Sequence, residues 1–97
     1  MISIVKSPQY ERDIAEIWHY LAQHNTEVAD RVVMAIEDTI ELLGDFPGIG
    51  TPCPHLAPAL RRTLWREYLI YYRLREDRIE IVRALHGRRD IGPALFE

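Results

Sequence analysis

The 97-residue sequence contains one cysteine, Cys53, and one lysine, Lys6. A single cysteine excludes an internal disulfide, so the reducing cytoplasm is the expected location. No apolar run approaches the ~20 residues that a membrane-spanning helix needs. The N-terminal residues lack the basic start and the long apolar stretch of a secretory signal. These absences predict a soluble cytoplasmic protein with no contact to a membrane.

Residues that commonly carry catalysis or bind metals are also scarce. The two serines are explained by a strand start, Ser3, and a helix cap, Ser7, and Cys53 lies between two prolines. His19 and His24 are five residues apart, which places them on different sides of a helix. The other two histidines have no cysteine or histidine at ligand spacing. We therefore expect no metal, no cofactor and no serine or cysteine nucleophile.

Charge is distributed unevenly along the chain. Residues 1–60 contain three basic side chains against nine acidic ones, whereas residues 61–97 contain nine arginines against six acids. The planar arginine guanidinium suits phosphates, carboxylates and aromatic faces. The second part is therefore a candidate binding surface, although arginines also decorate exposed strands for solubility. Four acids of the first part share one helix face that we expect to be solvated: Glu37, Asp38, Glu41 and Asp45.

Residues 2–43 predict a strand followed by two helices. Residues 2–5 favour a short strand. Ser7-Pro8 indicates a helix start, because serine can cap a helix and proline suits its first position. Apolar residues then recur at helical spacing over residues 10–21 and again over 29–43.

The boundaries of the second helix are indicated by polar and glycine signals. Asn25 or Thr26 is expected to cap its start, and Gly44 to end it. The short connection between the helices predicts an antiparallel hairpin. Glycines and prolines then cluster in residues 44–59, which predicts an ordered loop with Phe46 and Ile49 anchored in the core.

From Leu60 onward the pattern is that of strands. Three predicted strands, Leu60–Trp65, Tyr68–Arg75 and Arg78–Leu85, are separated by gaps of hairpin length. A short apolar run in the tail, residues 94–96, can dock back onto the domain. The prediction is one α+β domain over residues 1–97: an N-terminal strand, two antiparallel helices, and a three-stranded antiparallel meander forming one twisted sheet, with a short C-terminal tail.

One candidate site lies at the end of the last predicted strand. His86 is the only side chain there that can move a proton near neutral pH. With arginines to steady a phosphate, this group can support phosphodiester cleavage. Alternatively, the patch only binds, and His86 packs or caps the strand end. The arginines that adjacent strands can bring near it are Arg61, Arg62, Arg73, Arg83, Arg88 and Arg89.

The ordered series of segments resembles the RelE/ParE superfamily of bacterial type II toxin–antitoxin systems, and its ParE-like branch most. The resemblance covers nearly the whole chain. It includes the helical stretch 13–21, the Phe46-Pro-Gly-Ile-Gly50 loop, the strand 68–73 and the ending Ile81–Asp90. It implies a fold of two antiparallel helices on a twisted antiparallel sheet, which agrees with the pattern of the residues.

The resemblance implies one of two activities that inhibit bacterial growth. ParE-like members bind and poison DNA gyrase without a known catalytic site, whereas RelE-like members cleave mRNA in the ribosomal A site. Leu69 stands where nucleases tend to carry an arginine after a tyrosine, and Leu95 stands nearest the position of the nuclease tyrosine. These departures favour gyrase inhibition. The alternative is an mRNA endonuclease with His86 as general acid/base and Arg89 as phosphate clamp.

The resemblance also implies partners. We expect a ParD-like antitoxin whose disordered segment folds onto the acidic helix hairpin and an exposed sheet edge, in a heterotetramer or a larger complex. Direct contact with nucleic acid is expected only in the nuclease alternative. The residues expected to contact the target are Arg61, Tyr72, Arg73, Arg83, His86, Arg88 and Arg89.

Overall fold

Two helices lie on one face of a five-stranded sheet in the computed structural model, which describes residues 2–97. The helices are α1, Pro8–Ala22, and α2, Thr26–Asp45. The strands are β1, Ser3–Lys6; β2, Thr51–Pro52; β3, Leu60–Trp65; β4, Tyr68–Leu74; and β5, Arg78–His86. A short 3₁₀ turn, Pro93–Phe96, lies near the end of the chain. The predicted α+β class is confirmed.

The sheet has more strands than the sequence predicted. Its order is β1-β5-β4-β3-β2, with β1 parallel to β5 and all other neighbours antiparallel. The meander of β3, β4 and β5 is present, but a sheet built only from a three-stranded antiparallel meander is wrong. Thr51 and Pro52 add a two-residue edge strand beside β3. Proline is tolerated there because an edge strand does not need every N–H group.

Local side-chain bonds set the starts of both helices as predicted. The Ser7 hydroxyl accepts a hydrogen bond from the Tyr10 N–H at 2.9 Å and donates to the Val82 carbonyl at 2.8 Å. Asn25 caps α2, since its Oδ1 accepts from the N–H groups of Glu27 and Val28 at 2.9 and 3.2 Å. The Ser7 bonds also fix the first turn of α1 against β5.

Two predictions about the end of α2 were wrong. The helix continues past Gly44 to Asp45, and a Cβ added at Gly44 would make an ordinary van der Waals contact of 3.4 Å with the Ile4 Cδ1 atom of β1. Phe46 and Ile49 do not anchor the loop, because their side chains are 58 % and 55 % exposed. The loop is held from the sheet below it, by the hydroxyl of Tyr72.

The sheet separates two apolar cores. The larger core lies between the sheet and the helices, and its fully buried members include Tyr10, Ile36, Ile40, Leu43, Ile70, Tyr72, Ile79 and Ile81. The smaller core lies on the other face, under residues 53–60 and the tail. There the ring of Phe96 packs against that of Tyr71 with 4.7 Å between centroids. The predicted docking of the tail is confirmed.

A β-bulge in β5 changes which residues face each core. Tyr71 pairs with Arg83 and Tyr72 with Ile81, so Val82 has no partner on β4. Before the bulge Ile81 faces the helices, and after it Ala84 does. The extra residue therefore turns the end of β5, including His86, toward α1.

Candidate functional site

A groove of about 590 Å³ lies between the C-terminal half of α1 and the ends of β4 and β5. Ile17, Tyr20 and Leu21 line it from α1, and Tyr68 lines it from β4. Its other charged or titratable lining residues are Asp13, Glu16, Glu67, His86, Arg88 and Arg89. The groove thus combines an apolar helix face with charges of both signs.

His86 sits at the strand end that the bulge turns toward α1. Its ring packs edge-to-face on that of Tyr68, with centroids 5.3 Å apart. Its Nδ1 accepts a hydrogen bond from the Arg88 N–H at 3.0 Å. In the neutral ring the proton is therefore on Nε2, the nitrogen left for a partner. His86 caps the turn after β5, which is the structural role that the sequence left open.

Arg88 and Arg89 follow β5 in a turn tied to the neighbouring hairpin. The Gly87 N–H donates to the Glu67 carbonyl at 2.7 Å, and the Arg89 N–H donates to the His86 carbonyl at 3.0 Å. Both arginines are exposed. Neither guanidinium forms an ion pair with any of residues 2–97. The turn therefore presents two guanidinium groups that are available to carboxylates or phosphates.

Arg61 and Arg73 lie away from this groove, toward the opposite end of β4. Tyr68 and Tyr72 are four residues apart on that strand, which corresponds to ~13 Å. Arg61 donates to the carbonyls of residues 48 and 50 at 3.0 and 2.7 Å, and Arg73 donates to the Pro58 carbonyl at 3.2 Å. The arginines do not form one patch, and target contact by these two stays a prediction.

Tyr72 supports the loop after α2. Its side chain is fully buried. Its hydroxyl accepts from the Gly50 N–H at 2.9 Å and donates to the Pro47 carbonyl at 2.8 Å. A direct contact of Tyr72 with a target, as the sequence suggested, does not fit this burial.

Arg83 is likewise a buried structural residue, only 8 % exposed. Its Nε and Nη2 donate to the two carboxylate oxygens of Asp13 at 3.0 and 2.6 Å. These hydrogen bonds raise the pKa of Arg83 above its ordinary value. Its Nη1 donates to the Leu95 carbonyl at 3.2 Å, and the same carboxylate accepts the Ala84 N–H at 3.1 Å. Arg83 thus joins α1, β5 and the tail, and its predicted target contact does not fit this burial.

Two neighbouring buried tyrosines of β4, Tyr71 and Tyr72, offer a test of this arrangement. Tyr72→Phe is expected to lower the free energy of unfolding by about 1–3 kcal/mol, because it leaves the Gly50 N–H and the Pro47 carbonyl without a partner. Tyr71→Phe is the control: the Tyr71 hydroxyl is buried with no hydrogen-bond partner in residues 2–97, so its loss should be neutral or stabilising. Urea denaturation checks both, and an equal loss in the two variants would contradict the assignment.

Stability should also fall at alkaline pH. Burial, followed by the nearby Glu67 and Tyr20, raises the pKa of Tyr68 above 10.0. Burial also raises the pKa of Tyr10, with a contribution from Glu37. Because the unfolded chain loses these protons first, the free energy of unfolding falls as pH rises through ~10. Thermal melts from about pH 8 to about pH 11 should show a smaller decline for Tyr68→Phe than for the wild type.

Side chains that could bind a metal are dispersed over residues 2–97. No three His, Cys, Asp or Glu side chains in this range lie together as a metal site requires. No helix in the same range is long and apolar enough to cross a membrane. Cys53 is free and buried. The groove offers two guanidinium groups, one imidazole, the exposed carboxylates of Glu16 and Glu67, and an apolar wall, which together suit the binding of a polar partner.

Residues 4–91 match the family model of the ParE toxin of type II toxin–antitoxin systems, parDE. The chain belongs to the ParE toxin family. Toxin ParE1 of Caulobacter vibrioides is 32% identical over 81 residues, covering 82% of this chain and 83% of that relative. Toxin ParE1 of Mycobacterium tuberculosis is 26% identical over 87 residues, covering 88% and 89%.

Solved structures agree with ParE membership. The chromosomal ParDE system of P. aeruginosa contains a chain with a TM-score of 0.75 and 25% identity, covering 89% of this chain and 96% of that one. A conserved hypothetical protein of Helicobacter pylori, with 14% identity and a TM-score of 0.54 over 89% of this chain, shares the fold. The ParE-like resemblance predicted from the sequence is confirmed.

Proposed function

We propose that this ParE-family toxin inhibits bacterial growth by binding and poisoning DNA gyrase, and that a ParD-like antitoxin neutralises it. Family membership supports a toxin, and the similar chain from P. aeruginosa belongs to a ParDE system. The observation that carries a binding role is the turn after β5, where two guanidiniums with no ion pair in residues 2–97 follow an imidazole whose Nδ1 already accepts a backbone N–H.

Two leucines support binding over RNA cleavage. Leu69 and Leu95 occupy the positions where the nuclease resemblance implies an arginine and a tyrosine. Both pack against the smaller core, on the face of the sheet opposite the helices. The groove thus gains no catalytic group from either position, and proton transfer would rest on the Nε2 atom of His86 alone.

The proposed contact set is His86, Arg88 and Arg89. The two arginines are free to pair with carboxylates of a protein target, and charged hydrogen bonds of this kind are stronger than neutral ones. The guanidiniums of Arg61 and Arg73 already donate to backbone carbonyls. Any contribution from these two to target binding would therefore be secondary.

Parallel assays separate the two activities. The purified toxin is added to a gyrase supercoiling reaction and to ribosomes programmed with mRNA. We expect trapped, cleaved DNA in the first and intact mRNA in the second. Codon-specific mRNA cuts with unaffected gyrase would instead establish the nuclease alternative, and two negative results would overturn both activities.

Charge reversal then tests the contact set. The double variant Arg88→Glu, Arg89→Glu should raise the toxin concentration for half-inhibition of gyrase by about 100-fold. The control, Arg12→Glu with Arg31→Glu, makes the same charge change at exposed helix positions outside the groove. It should change the concentration for half-inhibition by less than about threefold. Equal losses in both double variants would show that only net charge matters.

His86→Ala separates binding from catalysis at the same site. A binding role predicts a loss of less than about tenfold, whereas removal of a proton-transfer group costs ~10²-fold or more in rate. The measurement is the concentration dependence of gyrase inhibition, alongside the rate of mRNA cleavage. A gyrase effect that survives this substitution supports binding.

A further inference from the structure

Three exposed apolar side chains lie together where α2 ends. Leu42, Phe46 and Ile49 are 51 %, 58 % and 55 % exposed. The Phe46 N–H donates to the Leu42 carbonyl at 2.9 Å, and the Ile49 N–H donates to the Phe46 carbonyl at 3.2 Å. These turn contacts keep the three residues adjacent, and we call them the Phe46 patch. Contiguous exposed apolar surface is costly in water and commonly marks an interaction site.

The segment that carries this patch is held firmly from the sheet. The Tyr72 hydroxyl bonds to the Pro47 carbonyl and to the Gly50 N–H. The Arg61 guanidinium donates to the carbonyls of Gly48 and Gly50. Two side chains of the sheet thus fix a turn that leaves its own apolar residues in solvent. A surface ordered in advance loses little conformational entropy when it binds a partner.

Exposed carboxylates lie on α2 next to the Phe46 patch. Asp38, Glu41 and Asp45 are exposed on the last turns of α2. None of them forms an ion pair within residues 2–97. A second copy docked symmetrically on this patch would bring six carboxylates together, which disfavours self-association. The complementary partner instead carries apolar side chains flanked by lysine or arginine.

We infer that the Phe46 patch is the docking site for a basic, apolar segment of the antitoxin. This inference rests on the proposed neutralisation by an antitoxin. The patch and the groove lie at different places on the sheet. The turn of the patch is bonded to Tyr72, whereas Tyr68 lines the groove, and these two residues are ~13 Å apart along β4. The patch and the groove also differ in the exposed charges that form no ion pair within residues 2–97, which are acidic at the patch and include Arg88 and Arg89 at the groove. Each surface therefore suits a different partner.

The test measures antitoxin affinity and gyrase inhibition on the same variants. The probe is a purified ParD-like antitoxin, titrated calorimetrically into the full chain. The double variant Phe46→Ser, Ile49→Ser should weaken binding by about 100-fold or more. It should leave the concentration for half-inhibition of gyrase within about threefold of the wild type. Leu64→Ser is the control, because this β3 side chain is 57% exposed elsewhere on the sheet.

A second variant tests the charge argument. Glu41→Lys with Asp45→Lys should weaken antitoxin binding by about tenfold, and added salt should weaken wild-type binding, as expected for complementary charges. Thermal melts should be unchanged for all these exposed substitutions, so lost binding is not lost folding. If the serine variant melts early, the antitoxin affinity of the lysine variant decides whether the patch is the docking site.

The other possible results distinguish failure of the docking site from failure of the proposed function. Wild-type affinity in the serine double variant, or an equal loss in Leu64→Ser, overturns the docking site and leaves the gyrase proposal intact. Loss of gyrase inhibition in the serine variant would show that the patch contacts the target, which also overturns the inference. A wild-type chain that binds no antitoxin overturns neutralisation itself, and the inference with it.

Discussion

Asp13→Ala is expected to lower the free energy of unfolding by about 3–5 kcal/mol, because it leaves a buried guanidinium without its counter-charge. Asp13 is 3 % exposed and accepts four hydrogen bonds: two from Arg83, one from the Ala84 N–H and one from the Gln9 side chain. Small domains have only ~5–15 kcal/mol of stability in total. Chemical denaturation should therefore show a large shift of the midpoint.

An exposed aspartate–arginine pair is the control for the buried Asp13–Arg83 pair. Asp77→Ala removes an aspartate that pairs with Arg78 at 2.9 Å but is 78% exposed, so its effect should stay below about 1 kcal/mol. The double change Asp13→Leu, Arg83→Met should recover much of the loss, since it removes both charges from the interior. Equal costs for Asp13→Ala and Asp77→Ala would contradict the structural role of the buried pair.

Gly50→Ala is expected to lower the free energy of unfolding by about 1–3 kcal/mol through overpacking. An added Cβ would lie 2.7 Å from the Tyr72 Cε1 atom and 2.9 Å from the Arg62 carbonyl oxygen. Relief of this overlap requires the turn to move away from Tyr72. The expected signs are a lower thermal midpoint and, if the Phe46 patch is the docking site, weaker antitoxin binding.

Gly48→Ala is the control for that substitution, two residues away in the same turn. Nothing lies within 4 Å of a Cβ built there, and no described glycine has a positive φ. Alanine should therefore be neutral, or stabilise by about 0.4–1 kcal/mol through lower entropy of the unfolded chain. A similar loss at both glycines would mean that backbone flexibility, and not contact with Tyr72, governs the turn.

The parts of the fold that depend on neighbouring residues could be predicted from the sequence. Ser7 and Asn25 cap helices with bonds to groups two or three residues away. The three strands of the meander are joined by short hairpins, which fix antiparallel neighbours locally. Because each of these features is determined within a few residues, the sequence pattern is sufficient to predict it.

Features that depend on contacts between distant residues could not be predicted from local sequence patterns. The parallel pairing of β1 with β5 joins Ser3 to Arg78, and nothing near either residue specifies the other. Thr51 and Pro52 look like part of a turn until β3 lies beside them. Phe46 and Ile49 were expected inside because they are apolar, but the bonds from Tyr72 leave their side chains in solvent.

The candidate site shows the same division. His86, Arg88 and Arg89 are close in sequence and therefore also meet in the groove. Arg83 was expected beside them, but its partner Asp13 lies 70 residues away. One signal was present: Asp13 lies three residues after Tyr10, on the apolar side of α1, where an aspartate needs a buried partner.

The bulge at Val82 matters for comparing this toxin with its relatives. Sequence alignment counts residues, whereas the sheet presents alternate side chains to alternate faces. A relative with the same number of residues but no bulge would align its histidine with His86 and yet carry that ring on the opposite surface. Equivalence at the groove is therefore decided by the presence of this bulge as well as by the identity of the aligned residue.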